Sequence, residues 1–265
     1  MEQIAPRTDK SPQSNGITPG VYLIGAGPGA ADLITVRGAR ILADADIVFY
    51  DALIDISMLE WCTGTRLVQV GKRCGSHSSS QHFINKQLVD AASKQLVVVR
   101  LKGGDPMIFG RAQEEIDALE KANVRYEIVP GITTALAASA ELKQPPTTRE
   151  LSRTLTLTTL PGRCAHDDHK TAIYYMARDQ LSEVATTLIA QGYTVDTPVC
   201  LMESVSLPTQ RSFGCTLDEL RLGDVHHYFL EKQPVVVMVG EVYREKLQTL
   251  TPLLESQNHF NVLQA

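Results

Sequence analysis

Residues 20–51 read GVYLIGAGPGAADLITVRGARILADADIVFYD, and this stretch decides the fold class. VYLIG (21–25) is a short, β-branched apolar run that stops at a glycine, the pattern of a buried strand. TVRGARILADA (35–45) spaces Val36, Ala39, Ile41 and Leu42 as a helix does, and DIVFYD (46–51) reads as a second strand. The same rhythm runs on through a helix in QHFINKQLVDAASK (81–94), a strand in LVVVRL (96–101), a helix in RAQEEIDALEKAN (111–123) and a strand in RYEIVPG (125–131). Strands that alternate with helices and carry apolar residues on both faces predict a parallel sheet covered on both sides.

KQPPTTRE (143–150) breaks this rhythm, because the residue before a proline is pushed away from helix and two prolines in a row favour a hinge. Beyond it lie TLTLTT (154–159), AIYYMA (172–177), the helix LSEVATTLIAQG (181–192), TPVCLMES (197–204) and VVVMVGEVY (235–243). Alternating, Thr-rich strands with fewer helices predict a mixed sheet there. The expected organisation is a polar leader at 1–18, an α/β domain at 19–142, a linker at 143–150, a second α/β domain at 151–250 and a tail at 251–265.

Composition narrows the function classes. Of 265 residues, 43% are apolar, ample for a large core. The formal net charge is −5 with no long basic run, which argues against a nucleic-acid partner. No apolar run approaches the roughly 18 residues needed to cross a bilayer. The leader lacks the apolar stretch of a signal peptide. Five cysteines, at 62, 74, 164, 200 and 215, are odd in number and form no CxxC pair, which points to reduced thiols and a cytoplasmic protein.

Two loops carry the chemistry. GAGPGA (25–30) has the GxG spacing of a dinucleotide loop, and Asp51 lies at a strand end about 20 residues on. Pro28 opposes that reading, because it removes an N–H where a pyrophosphate needs donors. In VRLKGGDPMIFGRAQEE (99–115), Gly103 and Gly104 let the backbone approach a ligand, Asp105 offers a carboxylate, and Arg111, Glu114 and Glu115 follow at once. Glu114 and Glu115 are equally readable as partners of a helix dipole. VGKRCGSHSSSQHFIN (70–85) sets Lys72, Arg73, His77 and Gln81 on a polar loop suited to anions, with Lys72 a possible general acid. HDDH (166–169) resembles a metal box but sits in a polar loop with no further ligand nearby, so no metal is expected.

Together, VYLIGAGPGAADLIT, RGARILADADIVFYDALI, VGKR, VRLKGGDPMIFGR and VPGIT resemble the uroporphyrinogen-III C-methyltransferases of the tetrapyrrole methylase superfamily. The resemblance implies two α/β domains, with S-adenosylmethionine held in the cleft between them rather than on a dinucleotide fold. It also implies a homodimer and a small tetrapyrrole substrate, uroporphyrinogen III, methylated at C-2 and C-7 to precorrin-2 with S-adenosylhomocysteine as by-product. Carried over by position, Pro28, Gly103, Gly104, Asp105, Ile108, Thr133, Thr134, Met176 and Val205 would line the cofactor site. Asp51 would accept a proton and Lys72 donate one, while Arg111 and Glu114 would orient the macrocycle. Arg73, His77, Arg149 and Arg153 are the cations expected to meet substrate carboxylates. The chain departs from the family pattern at Thr148, Leu160 and Val205, where the family has His, His and Gly, and the larger Val205 predicts a tighter pocket.

Overall fold

A computed structural model describes residues 17–70, 81–94, 96–160, 170–223, 229–230 and 233–252. Lys72, Arg73, His77, the HDDH run, most of the leader and most of the tail therefore lie outside the described residues. The chain divides into two compact units, at Met1–Thr133 and Thr134–Ala265.

The first unit is built on strands β1 (Gly20–Gly25), β2 (Ile47–Asp51), β3 (Arg66–Val70), β4 (Val97–Lys102) and β5 (Tyr126–Val129), with helices α1 (Val36–Asp44), α2 (Gln81–Ala92) and α3 (Ala112–Lys121). The strands form one parallel sheet in the order β3-β2-β4-β1-β5. Side-chain alternation sorts the core into two layers. Tyr22, Ile24, Val48, Val99 and Leu101 pack with Ile41 and Leu42 of α1. Val21, Leu23, Ile47, Phe49 and Val98 pack on the other face with Ile84 and Leu88 of α2 and Ile116 and Leu119 of α3. α1 starts where the Thr35 hydroxyl accepts from the Gly38 N–H, and it buries Ile41 and Leu42.

The second unit begins with α4 (Thr134–Glu141) and continues through β6 (Thr154–Thr158), β7 (Lys170–Tyr174), α5 (Leu181–Ala190), β8 (Pro198–Glu203), β9 (Arg211–Thr216), α6 (Leu217–Leu222), β10 (Val235–Val239) and β11 (Thr251–Pro252). Its sheet runs β11-β9-β8-β10-β7-β6 and is mixed: β7–β10, β10–β8 and β8–β9 are antiparallel, while β6–β7 and β11–β9 are parallel. Both the parallel first sheet and the mixed second sheet agree with the sequence pattern.

Three details differ from it. The unit boundary falls at Thr133/Thr134, not in 143–150, because Ala135, Ala137 and Ala138 of α4 pack into a cluster with Ile173, Met202 and Met238 of the second sheet. The double proline instead precedes a small turn in which Thr148 and Ser152 exchange backbone hydrogen bonds of 2.9 Å. Helices are not scarce in the second unit: α4 is an Ala-rich helix without a strong apolar stripe, and α6 is a short helix started by a Thr216/Glu219 capping box. β10 also ends at Val239, and Glu241–Tyr243 form a 3-10 turn.

Candidate functional site

β1 and β4 are neighbours, yet their connections leave in opposite directions. The chain passes from β1 through α1 on one face to β2, and from β4 through α3 on the other face to β5. Their carboxyl ends therefore open a crevice, the usual place for a ligand in an open α/β sheet. The two glycine loops that the sequence singles out lie there.

These loops are tied together. The Gly27 N–H donates to the Gly104 carbonyl (3.2 Å), and the Gly104 N–H donates back to the Gly27 carbonyl (2.6 Å). Gly104 sits at φ +66, a left-handed conformation that favours glycine. A third loop closes in from β5: a Cβ on Gly131 would lie 2.2 Å from the Gly104 carbonyl and 2.7 Å from the Gly25 Cα. The three backbones meet so closely that no Cβ fits at Gly25 or Gly131. Asp105 fastens the arrangement, because one carboxylate oxygen accepts from the Met107 N–H (2.8 Å) and the other from the Gly131 N–H (3.0 Å). Its carboxylate is thus engaged by the protein's own backbone. Gly103 is different: it is exposed, and a Cβ there would meet nothing within 4 Å. Pro28 and Ile108 are half-buried on the flanking turns, and Thr133 is buried beside Gly104.

The loop geometry also decides against a dinucleotide site. After GAGPGA the chain makes a 3-10 turn at Ala31–Leu33, and α1 begins only at Val36, with its Gly38 N–H already capped by Thr35. The glycine loop does not run directly into a helix N-terminus, which is what pyrophosphate binding exploits.

On the α2/α3 face, the ends of β2 and β4 carry a chain of charges that sequence reasoning missed. Arg100 Nη2 bonds Asp51 Oδ1 at 2.5 Å, and Arg100 Nε bonds Glu115 Oε1 at 3.0 Å. Lys102 Nζ reaches both Glu115 oxygens at 3.0 Å. Arg100 Nη1 donates to the Leu101 carbonyl at 3.1 Å, and Gln81 Nε2 donates to Glu115 Oε1 at 3.1 Å. The side chains of Arg100, Lys102 and Glu115 are 4%, 4% and 0% exposed, whereas that of Asp51 is 32% exposed. Burial alone pushes the Arg100 guanidinium down, but Asp51 and Glu115 outweigh it and hold it above its ordinary value. Burial, reinforced by neighbouring Arg100, pulls Lys102 below the ordinary lysine value despite Glu115. The signal was present in VVVRLK: two cations two residues apart in a buried strand share a face and require a buried anion nearby.

Arg111 and Glu114 meet, but they meet each other. Arg111 Nε and Nη2 bond the two Glu114 oxygens at 2.6 and 2.7 Å, on an exposed first turn of α3. That hydrogen bond lowers the Glu114 carboxyl and raises the Arg111 guanidinium from their ordinary values. Arg111 itself has φ 54, and Phe109 just before it has φ 50.

The remaining candidates belong to the second unit. Thr134 opens α4, and Met176 follows β7 with φ 54 and a largely exposed side chain. Arg149, inside the Thr148–Ser152 turn, and Arg153, just after it, are both exposed. Val205 lies between Ser204 and Ser206, both with positive φ, and its side chain is buried in the cluster with Ile173, Met202 and Val236. The core thus absorbs the larger side chain, while the turn leaves this backbone in an unusual conformation. Cys62, Cys200 and Cys215 are free and buried, and burial pushes the Cys62 thiol up to about 11 and Cys200 to about 12.

Comparison with known proteins gives a consistent picture. The Tetrapyrrole (Corrin/Porphyrin) Methylases family matches residues 20–221. The chain is 41% identical over 233 residues to uroporphyrinogen-III C-methyltransferase of Pseudomonas aeruginosa, covering 85% of this chain and 94% of that protein. It is 38% identical to the siroheme synthase of Zymomonas mobilis, and there the match spans 84% of this chain but only about half (48%) of that longer protein. Among solved structures, uroporphyrin-III C-methyltransferase from Thermus thermophilus complexed with S-adenyl homocysteine superposes with a TM-score of 0.70 at 33% identity, covering 85% of this chain and 93% of that one.

Proposed function

We propose that this chain, which belongs to the tetrapyrrole (corrin/porphyrin) methylase family, methylates uroporphyrinogen III twice, by way of precorrin-1, to give precorrin-2. It is an S-adenosylmethionine-dependent C-methyltransferase that releases S-adenosylhomocysteine. The observation that carries this reading is the crevice at the ends of β1 and β4, where Gly27 and Gly104 bridge two loops and Gly103 leaves room for a ligand against the backbone.

The residues present suit such a cofactor. Backbone groups at Gly103 and Gly104, with Pro28, Ile108 and Thr133 around them, form a small-residue surface for a nucleoside-like ligand. Thr134, Met176 and Val205 are the remaining cofactor-site residues in this reading. When bound, S-adenosylmethionine supplies an electrophilic sulfonium methyl. The protein holds an electron-rich pyrrole carbon in line with that methyl and excludes water, which proximity largely accounts for. The methylated ring must then lose a proton from an adjoining bridge carbon. Asp51 accepts that proton, Lys72 donates where one is returned, and Arg111 and Glu114 orient the macrocycle.

The substrate is polyanionic and the protein is net acidic, so recognition is local and cationic, through Arg111, Arg73, His77, Arg149 and Arg153. The enzyme works in the cytoplasm as a homodimer. The free Cys62, Cys200 and Cys215 among the described residues support the compartment, and the exposed apolar side chains Leu53, Ile56, Leu67 and Phe83 on the first unit support a covered surface. The product serves siroheme, cobalamin or a related modified haem.

The test is a labelled-methyl assay with uroporphyrinogen III and mass analysis of the product. Two methyl groups per macrocycle are expected. Label on a later precorrin but not on uroporphyrinogen III would place the chain at a different step, and tetrapyrrole binding without turnover would make it a binding protein.

A further inference from the structure

The four charges Asp51, Arg100, Glu115 and Lys102 are not required by the fold as such, since a buried ionic group can often be replaced by apolar side chains without loss of stability. Their arrangement has a direction. Three members are sealed between the sheet and α3, and the fourth, Asp51, emerges at the carboxyl end of β2 with a third of its side chain exposed. Asp51 stands at the strand end beside the loop that follows β4, since Tyr50 pairs with Leu101 and Gly25 with Lys102 in the sheet register.

We propose that Glu115 and Lys102, acting through Arg100, are positioning residues that fix the orientation of the Asp51 carboxylate. This rests on the reading of Asp51 as the proton acceptor of the methyltransferase. Arg100 bonds Asp51, Glu115 and the Leu101 carbonyl at once, so its guanidinium cannot swing away from Asp51 without breaking the other two bonds. Lys102 holds both Glu115 oxygens and Gln81 from α2 donates to one of them, so the anion that anchors Arg100 is itself fixed.

The experiment records kcat and KM with uroporphyrinogen III as substrate, and S-adenosylhomocysteine affinity. The proteins are wild type, Lys102→Met, Lys102→Met/Glu115→Gln and Arg100→Lys. Lys102→Met and the double variant loosen the hold of Glu115 on Arg100, and both lower kcat severalfold while KM and cofactor affinity stay within about twofold. Arg100→Lys keeps the charge but loses the fork that spans both carboxylates. It lowers kcat about tenfold or more while cofactor affinity stays within about twofold. Arg100→Lys and the double variant keep the test open if Lys102→Met alone does not fold. An unchanged kcat in every folded variant, or cofactor affinity that falls in step with kcat, overturns the proposal. A wild-type protein with no activity on uroporphyrinogen III overturns instead the reading beneath it.

Discussion

Glu114 and Glu115 are adjacent in sequence and share the first turn of α3, yet they sit in different dielectric surroundings. Glu114 points outward and pairs with Arg111 across a single turn, both side chains about half exposed. Glu115 points inward, is fully buried, and joins Arg100, Lys102 and Gln81. One pair is screened by water and free to exchange its partner for a ligand. The other is locked, because opening it would leave buried charges without counterions. A motif reader sees two equivalent acids, but burial leaves the outer one accessible and locks the inner one into the architecture.

The contrast is open to breakage, first at its strongest point. Glu115→Ala leaves Arg100 and Lys102 buried with one carboxylate between them, and should cost about 3–5 kcal/mol in urea unfolding. Glu114→Ala should leave the unfolding midpoint unchanged. Similar losses from both would erase the distinction. Next comes the loop that joins the two regions. Gly103→Val adds a side chain where nothing lies within 4 Å, so the fold should survive while S-adenosylhomocysteine affinity drops about a hundredfold, or ~2.7 kcal/mol. Gly104→Val is a less clean probe, since its φ of +66 strains a β-branched residue whether or not a ligand is present. Unchanged affinity in Gly103→Val would show that this loop is not the floor of the pocket.

The outer pair gives a smaller effect. Arg111→Lys keeps the charge but loses the two-point grip, and turnover should fall about tenfold with cofactor affinity untouched. Turnover within about twofold of wild type would mean that Arg111 serves only Glu114. The smallest effect concerns pH. Lys102 is lowered in the folded protein, so from that value up to the ordinary lysine range the unfolded chain binds the extra proton. Stability attributable to Lys102 therefore rises with pH across that window, and its protonation is a cost below it. The difference in unfolding free energy between wild type and Lys102→Met should follow that slope, and a flat difference would show that Lys102 is not perturbed.

Much of this was legible in the sequence, for a physical reason in each case. β1, β2 and β4 are strongly apolar and α1 and α3 strongly periodic, so the parallel unit was readable from 20–131. The GG of 103–104 marked a backbone open to a ligand, but not that Gly104 would bridge Gly27 of the other glycine loop, a contact between residues far apart in sequence. What stayed hidden depends on long-range contact. β3, with its exposed Arg66, Leu67 and Gln69, has no alternation to read. α4 is a run of Ala, Ser and Thr whose place with the second sheet is set by Ala135, Ala137 and Ala138 packing, so the double proline drew the boundary to the wrong side of it. Arg100 and Lys102 were passed over because a strand read for its apolar residues conceals the charges between them. Val205 looked like an intrusion into a pocket, whereas its side chain turns into the core.

The most direct test of the central claim is a titration of the wild-type protein with S-adenosylhomocysteine and, separately, with NADH. The crevice at β1 and β4 should bind S-adenosylhomocysteine with a clear rise in melting temperature and give no response to NADH. Binding of NADH alone would contradict the account.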